Sequence, residues 1–224
     1  MAFGAAVYND TGNIVIDPDF RNLVLRSKTS LTFTTTYQSS GRVAGYIDRK
    51  TVSLTGAVNP VIAFKSDLGV GLTGLSISGS TYTWTISANQ DHTCTVYVFD
   101  FAPTPTSTFG MQVFDGSANQ IFNSDAKYMK VVDFFTTTYA RVSGGWPAVI
   151  RNYSAGDYAV AVGFPRTVRT IAGDVSTDRL IATSTKVSVG EPFSIFDLTS
   201  QVSGIGAVFA SMTIPAMTID VSNF

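Results

Sequence analysis

Residues 3–17 of this chain return, altered, at residues 109–123. Phe3-Gly4-Ala5-Ala6-Val7-Tyr8-Asn9-Asp10-Thr11-Gly12-Asn13-Ile14-Val15-Ile16-Asp17 aligns without a gap on Phe109-Gly110-Met111-Gln112-Val113-Phe114-Asp115-Gly116-Ser117-Ala118-Asn119-Gln120-Ile121-Phe122-Asn123. Most differences are mild: Tyr8 against Phe114, Thr11 against Ser117, Val15 against Ile121, Arg21 against Lys127. The offset, 109 − 3 = 106 residues, is the size of a domain and not of a solenoid repeat, so the sequence predicts two related domains in tandem. The likeness fades beyond residue 26 and its partner 132.

Composition says what those domains are made of. Of 16 acidic residues only Glu191 is a Glu; the other 15 are Asp, which prefers turns to helix interiors. With 19 Gly, 16 Phe and many Thr and Val, local preference favours strands and turns throughout, and an all-β fold is expected. A net charge of −1 with 14% charged residues offers no field for nucleic acid or an anionic membrane. So sparse a charge points to a surface largely covered in an assembly. Cys94 is alone, which excludes a disulfide within the chain. No charged segment and apolar run follow Met1, and no 18-residue apolar stretch occurs, so the expectation is a soluble chain made without an export signal and without membrane insertion. The sequons at Asn9 and Asn152 then carry little meaning.

The repeated motif reads as a hairpin, with strands at 4–8 and 13–17 around Asn9-Asp10-Thr11-Gly12 and again near 110–115 and 119–123. Further strands are expected at 31–36, 42–48, 51–55, 61–65, 74–78, 81–87 and 93–101. The second half continues with 127–135, 138–143, 147–151, 157–164, 167–172, 179–189, 193–197 and 206–221. In Tyr82-Thr83-Trp84-Thr85-Ile86 the large residues alternate with threonine, the pattern of a half-buried strand. Ala102-Pro103-Thr104-Pro105-Thr106-Ser107-Thr108 has two prolines and no periodicity, and ends where the second copy begins. The predicted organisation is an N-terminal β-sandwich over 1–101, a stiff Pro/Thr linker over 102–108 and a C-terminal β-sandwich over 109–224, both of immunoglobulin-like size. The Cys and Trp framework of antibody domains is absent, which leaves a jelly roll or partly open barrel as alternatives.

Signals for chemistry are few. Gly69-Val70-Gly71-Leu72-Thr73-Gly74 has the lettering of a dinucleotide-binding loop, but no helix follows to receive a pyrophosphate, and a Gly-rich hairpin connection is the better reading. His92 and Cys94 with Asp91 fall short of the four ligands of structural zinc; a turn His and a core Cys are expected. Asp17 with Asp19, and Asp174 with Asp178, are carboxylate pairs at turns, where Asp bonds to backbone amides; Asp17, Asp19 and a loop carbonyl are the set a calcium ion would use. No Ser-His-Asp arrangement is available except through His92, and a lone Glu argues against a glycosidase, so no catalytic residue, cofactor or metal is assigned. Tyr97, Phe99, Phe101, Phe134, Phe135 and Tyr139 read as core aromatics; Trp146, after Gly144-Gly145 and before Pro147, is the aromatic placed to meet a carbohydrate or partner.

The run Tyr97-Val98-Phe99-Asp100-Phe101-Ala102-Pro103, then Phe109-Gly110-Met111-Gln112-Val113-Phe114-Asp115, then Ile121-Phe122-Asn123-Ser124-Asp125-Ala126-Lys127-Tyr128-Met129-Lys130-Val131-Val132-Asp133 resembles small tail-tip and tail-fibre-associated proteins of long-tailed bacteriophages. The resemblance covers about 40 residues and departs at Ala118, and at Ala5-Ala6 in the first copy. It implies a structural virion component on the distal tail, made in the host cytoplasm and contacting other tail proteins. It also implies several copies around the tail axis, with a trimer favoured, and no catalytic residues to carry over. Host-surface attachment is compatible with it. The alternative is a receptor- or carbohydrate-binding module acting through sandwich loops or Trp146.

Overall fold

The computed structural model describes residues 7–8, 14–16, 22–40, 43–101, 110–114, 117, 120–138, 148–163, 167–169, 175–195 and 213–224, and among them the regular structure is entirely β. A short hairpin, β1 (Val7–Tyr8) and β2 (Ile14–Ile16), precedes β3 (Val24–Phe33), β4 (Thr36–Ser40), β5 (Val43–Leu54), β6 (Val61–Ser78), β7 (Thr81–Ala88) and β8 (His92–Asp100). A second hairpin, β9 (Gln112–Phe114) and β10 (Gln120–Asn123), precedes β11 (Lys130–Thr138), β12 (Val149–Asn152), β13 (Tyr158–Val162), β14 (Thr167–Arg169), β15 (Val175–Ala182), β16 (Lys186–Ile195) and β17 (Thr213–Asp220).

One strand organises the rest. The first five residues of β6 pair with β8 on one side and, through Ala63 and Phe64, with β13 on the other, giving an antiparallel sheet in the order β3-β8-β6-β13-β17-β11. Beyond Ser66 the same strand pairs with β15 at Ser66 and Val70 and with β7 from Gly71 onward, so it enters a second sheet with β4, β5, β7, β15, β16 and β12. A strand that bends between two sheets forms the corner of a sandwich. The bend lies at Gly69, whose φ of 88° suits glycine alone and whose amide donates to Ser66 Oγ at 3.0 Å. A side chain there would strike Arg179, since a Cβ would fall 2.3 Å from its Cγ.

Between the sheets lies one core. Phe33, Val52, Phe64, Leu72, Trp84, Ile86, Val96, Phe135, Val160, Leu180, Val189 and Ile214 are all buried in it, drawn from both sides of residues 102–108. The first sheet is also buried on its outer face, where Ala63, Tyr97, Phe99, Ala159, Ala161 and Ile219 pack with Val221 and Phe224. Strict alternation, as in Tyr158, Val160 and Val162 inward against Ala159 and Ala161 outward, assigns each residue of β13 to a face.

The duplication reappears in the hydrogen-bond register. Val7 pairs with Ile16 and Tyr8 with Ile14; Val113 pairs with Phe122 and Phe114 with Gln120, the same pairs one repeat later, each with an irregularity at the same place. β3 and β11 begin at equivalent positions, Val24 and Lys130, and both carry a register shift two residues on, at Arg26 and Val132. Each then lies against a strand ending in aspartate: Val24 faces Asp100 and Lys130 faces Asp220. In the six-stranded sheet the two sets of three strands meet at Ala63 and Ala161, each other's counterparts, so the sheet has an approximate internal two-fold axis through that pair.

Several strand boundaries differ from expectation. The segments 61–65 and 74–78 are one strand, because β15 at Val70 and β7 from Gly71 onward carry the ladder through the Gly-rich 69–74, which is therefore strand interior and not a hairpin connection. The segments 42–48 and 51–55 likewise merge in β5, while 179–189 divides at a turn between β15 and β16. The linker 102–108 lies outside the described residues. The strands on either side of it share ladders and core.

The two strand-ending aspartates are anchored differently. Asp100 is fully buried and accepts backbone N–H bonds from Val58, Asn59 and Phe101 at 2.8–2.9 Å, with the Arg26 guanidinium 3.9 Å away. Asp220 accepts from Lys130 Nζ at 2.6 Å and from the Ser222 hydroxyl and amide, which together hold its carboxyl down at about 2 from an ordinary 3.8. A carboxyl with a lowered folded-state pKa stabilises fully above its unfolded value, and that contribution is lost as pH falls from 3.8 toward 2. Acid titration of stability, followed by circular dichroism, is expected to show a loss in this window that Asp220→Asn reduces and Lys130→Met shifts to higher pH.

Candidate functional site

The residues with chemical potential are occupied structurally. Cys94 is wholly buried in the core, and burial pushes its thiol up to about 12. His92, the first residue of β8 and on the same face as Cys94, stacks on Phe33 at 5.4 Å and bonds through Nδ1 with the Gln90 carbonyl at 2.9 Å, which fixes the ring; its buried Nε2 meets no partner among the described residues. Asp91 accepts the hydroxyl and amide of Thr35 at 2.6 and 2.7 Å, bonds that lower its carboxyl pKa. Among the described residues no group of three or more His, Cys, Asp and Glu is placed to hold a metal ion. Asp178 sits at a register shift inside β15 instead of a turn, because the β15–β16 ladder runs through it. Asp17, Asp19 and Asp174 lie outside the described residues, as does the calcium expectation that rests on the first two.

The aromatics divide. Tyr97, Phe99 and Phe135 are buried, as expected, but Phe134 is 63% exposed, because β11 is the sheet's last strand and its outer face has no further layer at that point. Trp146 and Tyr139 lie outside the described residues. Met111 and Phe114 on the second hairpin, and Val131, Val132 and Phe134 on β11, are all exposed, so large apolar groups recur on the surface along 111–134.

A second exposed group was not foreseen. β5 pairs with β4 through residues 43–47 and with β7 only from Asp48 on, so the β4–β5 hairpin runs past the end of β7. On it Tyr37 and Tyr46 face each other across the ladder, 59% and 57% exposed, with ring centroids 5.4 Å apart and planes at 65°. Among the described residues no hydrogen bond engages either phenol. The sequence signal was the alternation Thr36-Tyr37-Gln38, which marks one face of a strand but not its distance from the core.

A third surface is the end of β6. From Thr73 to Ser78 its edge away from β7 has no partner among the described strands, and Leu75 and Ile77 are 44% and 55% exposed there.

Burial predicts the behaviour of the single thiol. Native protein at mildly alkaline pH is expected to leave Cys94 unmodified by a chromogenic disulfide reagent, with one equivalent released on unfolding; rapid native reaction would show the site to be open. Compared with family models, curated proteins and solved structures, the chain matches none.

Proposed function

We propose that this protein is a structural component of a phage tail tip, present in several copies on the distal tail and docking through its second half. The observation that carries the reading is the run of exposed apolar residues Met111, Phe114, Val131, Val132 and Phe134 on and just after the segment that resembles tail-tip proteins. Apolar side chains spaced along one short segment suit a surface covered by a neighbour. Within this reading each half, 1–101 and 109–224, is one immunoglobulin-like sandwich lobe. The equivalent registers of the hairpins and of β3 and β11 support that division. Docking to the tail is the task, and no catalysis is assigned.

The test is to locate the protein in purified particles of its phage. Antibody labelling is expected at the distal tail, and Phe134→Asp, exposed and therefore tolerated by the fold, is expected to reduce incorporation by tenfold or more, about 1.4 kcal/mol. Absence from intact particles would overturn the assignment.

The second reading, a carbohydrate-binding module, is favoured by one observation: the tyrosine pair on the β4–β5 hairpin. Two exposed rings set at 65° form an aromatic corner against which the C–H face of a neutral sugar can stack, with unengaged phenols to bond its hydroxyls. A glycan array probed with the whole chain and with Tyr46→Ala distinguishes the readings. Binding lost in the variant would make attachment the main activity; no binding at millimolar sugar would exclude it.

A further inference from the structure

Every sheet end carries a row of unsatisfied backbone groups, and natural proteins guard such rows with charges, bulges, proline or brevity. Three described edges here are guarded. β3 has a bulge at Arg26 followed by Lys28; β11 has a bulge at Val132 between Lys130 and Asp133; β12 is four residues long and bears Arg151. β6 is different. Between Asp67 and Asp91 the chain contains no charged residue and no proline, so neither β6 beyond Leu68 nor its neighbour β7 supplies a charged or proline guard, and the one bulge of this part of β6, at Thr73, lies before its exposed end. Residues 74–78 lie past the shift at Thr73 and form a regular ladder with β7, and both of their large side chains, Leu75 and Ile77, are exposed.

We propose that residues 74–78 of β6 are a homotypic pairing edge by which two copies of this chain join in antiparallel register centred on Ser76. The choice of a second copy follows from the order of residues. Leu75 and Ile77 flank Ser76 and project from one face, since side chains two apart share a face. An antiparallel ladder with its two-fold axis at Ser76 therefore sets Leu75 opposite Ile77 of the other copy, and Ile77 opposite Leu75, at both ends of one contact. Gly74 then faces Ser78. Each exposed aliphatic becomes half of a cross-strand pair, and no charge opposes a like charge. The interface is isologous: one patch complements itself and closes at two copies. Extension of a sheet by an added strand supplies main-chain bonds on the open edge.

This pairing concerns contacts between copies and is read on the isolated chain, whereas the tail assignment is read on particles, so the two can fail separately. The closing experiment uses the full chain. Analytical ultracentrifugation over a wide concentration range is expected to show a monomer–dimer equilibrium, and Ile77→Lys, which places a guard on the edge, is expected to raise the dissociation constant at least tenfold with an unchanged circular dichroism spectrum. Ser76→Cys adds a thiol at the axis beside a Cys94 that is buried, and mild oxidation is expected to link it to its counterpart as a disulfide dimer. Thr32→Cys, exposed on the guarded β3 edge, is expected to link far less. A chain that stays monomeric and fails to link through residue 76, or a dimer indifferent to Ile77→Lys, would overturn the proposal.

Discussion

The pairing of β6 on both edges is the constraint from which the rest follows. An 18-residue strand has two rows of backbone donors and acceptors, and here β8, β13, β15 and β7 meet them in turn, with β7 alone pairing the last residues. Satisfying them requires the strand to leave one sheet and join the other, and the glycine at position 69 permits this with a left-handed backbone and no side chain. The sandwich core then lies between two sheets that one strand already joins, so Phe64 and Leu72, from its two ends, pack in the same cluster.

The approximate two-fold axis places the smallest outward side chains where β6 and β13 approach. Ala63 and Ala161 are fully buried and face each other across the β6–β13 ladder, with Ala159 beside them. The aromatic weight on that face, Tyr97 and Phe99, stands one strand away, where Phe224 packs against both rings at 6.3 and 5.5 Å. The inner strands of the first sheet are thus buried on both faces and read as nearly unbroken apolar runs such as Tyr158-Ala159-Val160-Ala161-Val162.

Much of this was legible in the residues. The all-β character followed from the scarcity of glutamate and the wealth of Thr, Val and Phe, and the facing of Tyr82, Trp84 and Ile86 followed from their alternation. Cys94 also fell in the core as expected, whereas His92, expected in a turn, is the first residue of β8. The unity of β6 was not legible, because glycine weakens a strand locally and only the partners on its edges, more than 80 residues away in the case of Val160 and Leu180, reveal that the ladder continues. Exposure was equally hidden. Phe134 and Phe135 are chemically identical neighbours, and which one meets solvent depends on β11 being an edge. The tyrosine pair depends on where β7 stops.

Continuity of the ladders across the repeat also has a mechanical meaning. Tension drawn between the two halves along the strands loads the β6–β13 and β6–β15 hydrogen bonds in shear. Bonds sheared together share a load and break together, whereas bonds peeled from one end break in sequence. The molecule is stiffest along the strands of its seam, and a pull across them is the direction in which it yields.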